Sequence, residues 1–285
     1  MFSKTVQLLS VLSHRPKEAF QRTTMIITSR LQSHESCSSA YAIRSADDAR
    51  AELSLAISDN LDKRLQECGL EQIETAVRGA QMLLPANAPF RARHNGDFQL
   101  ARLCYLVARA LKPDTIVETG VCYGVTSAFV LQALKENGNG HLHSIDLPPL
   151  AENADAFVGR FIPSELRAAW TLHRGTAAAC LSPLLKKIGP VGMFIHDSLH
   201  TYANMRFEFS TAWPALKPGG VLVSDDVHNN RAFLELSLQA DVAYSAVMKE
   251  EESKKNNLFG VAVKSLSSEL LRTRATASRP FSNFN

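Results

Sequence analysis

Thr115-Ile116-Val117-Glu118-Thr119-Gly120-Val121-Cys122-Tyr123-Gly124 reads as a buried strand that breaks into a glycine turn. The helical pattern over 125–136 then completes a strand–turn–helix unit. In an open parallel sheet, such a first turn brings backbone N–H groups and a helix N-terminus to a ligand beyond the carboxyl ends of the strands. Gly120 and Gly124 leave room for close backbone approach, and Thr126 and Ser127 are placed to cap the helix. The next strand, 141–146, ends in Asp146, where a carboxylate can accept both hydroxyls of a ribose. A nucleoside ligand is expected.

The spacing E-x-G-x-x-x-G departs from the dinucleotide fingerprint G-x-G-x-x-G, with Cys122 at one glycine position and Glu118 as its first element. A pyrophosphate gains little from an acid beside it. Glu118 suits a cationic or amine-bearing ligand instead, such as the aminoacyl end of a sulfonium nucleoside. No G-x-x-x-x-G-K-[ST] occurs, so a phosphate-cradling loop is unsupported, and an NAD-dependent oxidoreductase is the weaker alternative.

Outward from this unit the hydrophobic period keeps switching between strand and helix. Strands are expected at 115–118, 141–146, 171–174, 191–195 and 221–223, with helices at 125–136, 151–160, 177–187 (interrupted by Pro183), 202–216 and 231–238. Strands at 242–248 and 258–263, joined by the short charged loop 249–257, form an antiparallel pair. Upstream, residues 46–84 read as two helices and 97–111 as another, stopped at Lys112-Pro113. The resulting divisions are a basic arm (1–45), a helical cap (46–95), an α/β domain (96–264) and a fraying tail (265–285).

Two acidic clusters follow adjacent predicted strands: Asp197, and the pair Asp225 and Asp226. Neighbouring strands lie about 4.8 Å apart, so these carboxylates would repel one another at one sheet edge unless protonated, hydrogen-bonded or neutralised by a cation. A metal-assisted site is the sharp reading. The plain alternative is that Asp225 and Asp226 cap the following helix while Asp197 holds its loop.

Composition narrows the classes further. A formal charge of +3 over 285 residues gives no argument for nucleic acid, and 45% hydrophobic residues fit a soluble enzyme. Five scattered cysteines without a C-x-x-C pair disfavour a disulfide framework or zinc knuckle and fit a reducing, cytoplasmic setting. The first 34 residues carry five Lys or Arg against one acid, Glu18, with apolar stretches too short to span a bilayer. Such an arm fits an organelle presequence, weak membrane-surface contact, self-association into a homo-oligomer, or plain solvation.

The segments Val117 through Gly124, His143-Ser144-Ile145-Asp146 and Leu216-Lys217-Pro218-Gly219-Gly220-Val221-Leu222-Val223 resemble the class I S-adenosylmethionine-dependent methyltransferases over about 96–264. The resemblance implies a Rossmann-like, doubly wound, mainly parallel seven-stranded sheet with an antiparallel C-terminal strand, plus N-terminal helices. It implies that Glu118, Gly120, Gly124 and Ser127 hold the methionine part of S-adenosyl-L-methionine and Asp146 its ribose. Gly175, Thr176 and Ala177 would then lie near the adenine, with Tyr123 and Asp197 also among the cofactor-binding residues.

Phe194 to Tyr202 with Ser224-Asp225-Asp226 is similar to the metal-assisted O-methyltransferases of sugars and other small natural products, which implies Mg2+ at Asp197, Asp225 and Asp226. Where those enzymes often carry D-G-D-H, this chain has Asp197-Ser198-Leu199-His200, so the second acid is missing. Asp197 and His200 are then the catalytic candidates, His200 either as base or as a metal or substrate contact, with His228 behind it. The expected activity is O-methylation of a small hydroxylated metabolite or sugar. A non-catalytic binder of the same cofactor stays open because of Leu199.

Overall fold

The computed structural model describes residues 12, 15–31, 36–90, 96–151, 153–251 and 257–266. Its framework is a seven-stranded sheet built from β1 (Thr115–Thr119), β2 (His141–Asp146), β3 (Trp170–Arg174), β4 (Val191–His196), β5 (Leu216–Ser224), β6 (Val242–Lys249) and β7 (Leu258–Lys264). The spatial order is β3-β2-β1-β4-β5-β7-β6, and only β7 runs against its neighbours. The order reverses between β1 and β4, which opens a crevice beyond their carboxyl ends where an open α/β sheet accepts ligands.

Both faces of the sheet are covered, so the central strands are apolar on alternate residues towards each side. Ile116, Leu142, Met193, Val221 and Val261 bury on one face beneath α2 (Ala46–Ile57), α4 (Cys68–Met82), α5 (Phe98–Leu111) and α6 (Val125–Asn137). Val117, Ile145, Phe194, Leu222 and Ala262 bury on the other beneath α8 (Ala177–Ile188), α9 (Tyr202–Ala215) and α10 (Ala232–Ser237). Phe98 and Phe129 meet edge to face at 5.9 Å, both fully buried, where α5 packs on α6. Truncating such a ring to Ala costs about 3–5 kcal/mol.

Several boundaries differ from the sequence reading for local reasons. The 46–84 stretch holds a third short helix, α3 (Leu61–Leu65), because Ser58 turns left-handed (φ 56°) and Asn60 caps a new start by accepting from Lys63 N. The expected helix over 151–160 shrinks to α7 (Ala154–Phe157), the chain turning at Gly159 with φ 67°. Pro183 does not interrupt α8, which runs through it. The tail beyond 266 and the loop 252–256 lie outside the described residues.

Of the basic arm, residues Pro16–Leu31 form helix α1. It docks beyond β2 and β3, where Glu18 and Arg22 are 8% and 5% exposed. Arg22 donates to Glu18 at 2.7 Å and to the Pro148 carbonyl at 2.7 Å, and Arg174, at the end of β3, donates to the same Glu18 at 2.5 Å. Among the described residues no helix is long and apolar enough to cross a membrane.

Candidate active site at the strand ends

Glu118 is the next-to-last residue of β1 and is 1% exposed. Its Oε2 accepts from Ser127 (2.6 Å) and Ser144 (2.7 Å), and Ser144 in turn accepts from the Trp170 indole at 2.9 Å. Its other oxygen, Oε1, is buried without a hydrogen-bond partner. Burial pushes the Glu118 carboxyl up to about 8, against the pull of the two serine hydroxyls and with Asp197 and Asp146 adding to the rise. An unpartnered buried carboxylate oxygen favours an incoming cation.

The turn after β1 is tighter than ligand access alone would require. Gly120 has φ 83°, and a Cβ there would sit 1.9 Å from the Asp197 carbonyl oxygen. Gly124 has φ 88°, and a Cβ there would meet the Gly159 Cα at 2.9 Å. Both glycines therefore let the turn press on neighbouring backbone, Gly120 seating it on the end of β4. The amides of Val121 and Cys122 donate to Asp146 Oδ2 at 3.1 and 3.0 Å, which fixes the carboxylate at the end of β2. Burial raises the Asp146 carboxyl, while those amides oppose the rise.

Two expectations for this region need correction, the Tyr123 side chain as a ligand contact and the capping of α6 by Thr126 or Ser127. The Tyr123 side chain does not face a ligand: it is fully buried, stacked on Phe161 at 5.1 Å, with its hydroxyl donating to the Phe90 carbonyl. Ser127 spends its hydroxyl on Glu118, and Thr126 Oγ1 is buried without a partner, so Gly124 caps α6 with backbone alone. Thr176 caps α8 by accepting from Ala179 N, while Gly175 N donates to the Asp146 carbonyl at 2.9 Å. Cys122 is a turn residue at φ 51°, its thiol pushed up by burial rather than activated.

The acids at the ends of β4 and β5 converge. Asp197 N donates to the Thr119 carbonyl and Asp225 N to the His196 carbonyl, so each strand end hangs on its neighbour. His200 Nδ1 is 2.7 Å from Asp226 Oδ2, leaving Nε2 facing Asp197 Oδ1 at 3.7 Å and Asp225 Oδ2 at 3.9 Å. Ligand atoms of Asp197, His200 and Asp225 lie within 4.8 Å of one another, as do those of Asp225, Asp226 and Glu250. Asp226 adopts φ 50° and makes no side-chain cap, so helix capping does not account for its carboxylate.

Burial lifts Asp197 to about 7, eased by His200 and reinforced by Asp226, and burial beside Asp197 and Asp226 raises Asp225 well above the carboxylate range. Asp226 is held low: burial would raise it, but the hydrogen bond and charge of His200 prevail. Buried Asp225 Oδ1, Asp226 Oδ1 and His200 Nε2 have no hydrogen-bond partner. Crowded carboxylates with spare lone pairs fit a hard divalent cation.

Two contributors were not visible in the sequence. Glu250 lies in what read as a solvated charged loop, yet it hydrogen-bonds with Asp225, and burial raises its carboxyl to about 7. Beneath the site, Glu208 of α9 is fully buried against His196 Nδ1 at 2.7 Å and accepts from Ser198 (2.6 Å) and Asn204 (2.8 Å). That knot ties β4 and the 198–204 loop to α9. His228 Nδ1 accepts from Leu258 N at 3.2 Å and lies 3.7 Å from Asp226 Oδ1, at the rim of the acids. Tyr202 likewise spends its hydroxyl on Glu235.

Residues 117–227, which span Glu118, Asp146, Asp197, Asp225 and Asp226, match the sequence model of a methyltransferase domain. The sheet and its flanking helices have the Rossmann-like fold of the class I methyltransferases. An O-methyltransferase from Bacillus cereus, solved in complex with SAH, aligns with this chain at 18% identity and a TM-score of 0.51, over 70% of this chain and 92% of that one. A candidate O-methyltransferase from Klebsiella pneumoniae aligns at 16% identity and a TM-score of 0.50, over 76% of this chain and 96% of that one. At these identities the likeness is one of fold. No curated protein matches the chain in sequence.

Proposed function

We propose that the protein is an S-adenosylmethionine-dependent O-methyltransferase acting on a hydroxyl of a small metabolite or sugar, assisted by Mg2+. Glu118 and Asp146 would hold the ends of the cofactor, and Asp197, Asp225 and Asp226 the cation, with Glu250 beside them. When bound, S-adenosylmethionine supplies an electrophilic methyl group. When bound, Mg2+ orients a hydroxyl and lowers its pKa.

The observation that carries the reading is the posture of His200. Burial would lower the His200 imidazole, but the hydrogen bond and charge of Asp226, with Asp197 and Glu208, raise it, so it is a strengthened base; in its neutral form, with Nδ1–H donated to Asp226, the lone pair on Nε2 points at the space between Asp197 and Asp225. A substrate hydroxyl in that space can pass its proton to Nε2 as the oxygen attacks. Asp226 stabilises the imidazolium that results. This fills the role left open by Leu199, because the histidine is oriented by an acid from a different strand end.

Turnover against a library of hydroxylated acceptors, with and without EDTA, tests this directly. The expected result is methyl transfer that EDTA abolishes and Mg2+ restores. His200→Gln should lower kcat by about 10²–10⁴-fold while cofactor affinity stays within a few fold. Cofactor binding without turnover on any acceptor would leave a binding protein, and an unchanged kcat in His200→Gln would remove the base.

A further inference from the structure

Helix α1 and the ends of β2 and β3 border a cleft of about 430 Å3, lined by Lys17, Glu18 and Gln21 on one side and by Leu147, Arg174 and Gly175 on the other. Leu147 follows Asp146 directly and donates its backbone N–H to that carboxylate. The cleft therefore begins one residue from the acid that would hold the ribose. Gly175 N donates to the Asp146 carbonyl at 2.9 Å, which stitches the two strand ends together beneath it. Burial raises the Asp146 carboxyl, and the charge of Arg22, on α1, is among the influences that oppose the rise. The N-terminal helix thus faces the same end of the crevice as the ribose acid.

We propose, on the reading that S-adenosylmethionine is the cofactor, that α1 is the outer wall of its adenine subsite and that Gln21 reads the edge of the base. A purine needs an apolar surface for its ring and a few placed polar groups at its edge. Leu147 supplies the first. Gln21 supplies the second, since its carboxamide oxygen can accept from the 6-amino group while its NH2 donates to a ring nitrogen.

Gln21 is half-buried, and its Oε1 lies 3.9 Å from where a Cβ on Gly175 would stand, so the side chain reaches across to the end of β3. Among the described residues no hydrogen bond engages its amide. Glu18 is taken by Arg22 and Arg174, and Lys17 is exposed at the rim. Gln21 is then the lining side chain of α1 that has both a donor and an acceptor to offer. Residues three apart share a helix face, so the ion pairs of Glu18 also fix where this amide stands.

Calorimetric titration of the full chain with S-adenosylhomocysteine, and with its analogue carrying purine in place of adenine, tests the contact without requiring turnover. Gln21→Ala should weaken S-adenosylhomocysteine by about threefold to tenfold, the loss of one or two hydrogen bonds, and the analogue by less than about twofold. Phe20→Ala, on the outward side of α1 where Phe20 is 73% exposed, should leave both affinities unchanged. Equal weakening of the two ligands by Gln21→Ala, or no weakening of either, would overturn the contact while leaving the cofactor reading in place. Failure of the native chain to bind S-adenosylhomocysteine would overturn both.

Discussion

Glu118 shows how one side chain can couple ligand recognition to protonation. Its carboxyl, raised to about 8 by burial, is largely protonated at pH 7 in the free protein. A ligand ammonium beside the unpartnered Oε1 would favour the carboxylate, so binding should release a proton. Cofactor affinity is then predicted to rise with pH up to about 8 and to level off above it. Calorimetry at pH 7 in buffers of different ionisation enthalpy should report close to one proton released, falling towards none at pH 9 and absent in Glu118→Gln. Buffer-independent heats in the native protein would contradict this role. The acid itself is legible in the sequence as the end of a buried strand, but its serine partners and Trp170 are not, because the side chains meet only once β2, β3 and α6 are packed together.

Helix α1 is the element on which sequence and structure diverge most. Its five-to-one excess of basic residues within the first 34 reads as a solvated or membrane-seeking arm, yet the single acid, Glu18, anchors it. Burial alone would raise the Glu18 carboxyl, but hydrogen bonds from Arg174 and Arg22 outweigh it and hold it near 2. That contribution to docking is full above about pH 4.5 and fades as pH falls towards 2. Glu18→Gln should weaken docking by about 1–3 kcal/mol, read as faster limited proteolysis at Arg22 at pH 7. Cleavage at the native rate would mean that other contacts hold the helix. Composition cannot reveal such an anchor, because its partners Arg174 and Pro148 lie far along the chain. The opposite holds for β1, β2, β4 and β5, whose apolar runs and terminal acids are local signals and are matched by the structure. The 151–160 stretch misleads because the turn at Gly159 is fixed by contact with Gly124 and Trp170, not by the local pattern.

At the scale of the molecule, the order β3-β2-β1-β4-β5 arranges two kinds of chemistry along one lip of the sheet. Glu118 is next to last in β1 and Asp146 ends β2, while Asp197, Asp225 and Asp226 follow β4 and β5. Gly120, pressed on the Asp197 carbonyl, is the joint between them. The convergence of the acids is foreseeable from parallel strands of known spacing. Glu250 is not, since it arrives from the antiparallel pair through a loop whose residues pattern as surface. The central claim is that this lip holds a nucleoside cofactor on one side and a divalent cation on the other, through separate residues. Paired calorimetric titrations of S-adenosylmethionine and Mg2+ test it most directly. Asp146→Ala should weaken the cofactor by tenfold or more and leave Mg2+ within a few fold, and Asp225→Asn with Asp226→Asn should do the reverse. Equal losses of both ligands in either variant would contradict it.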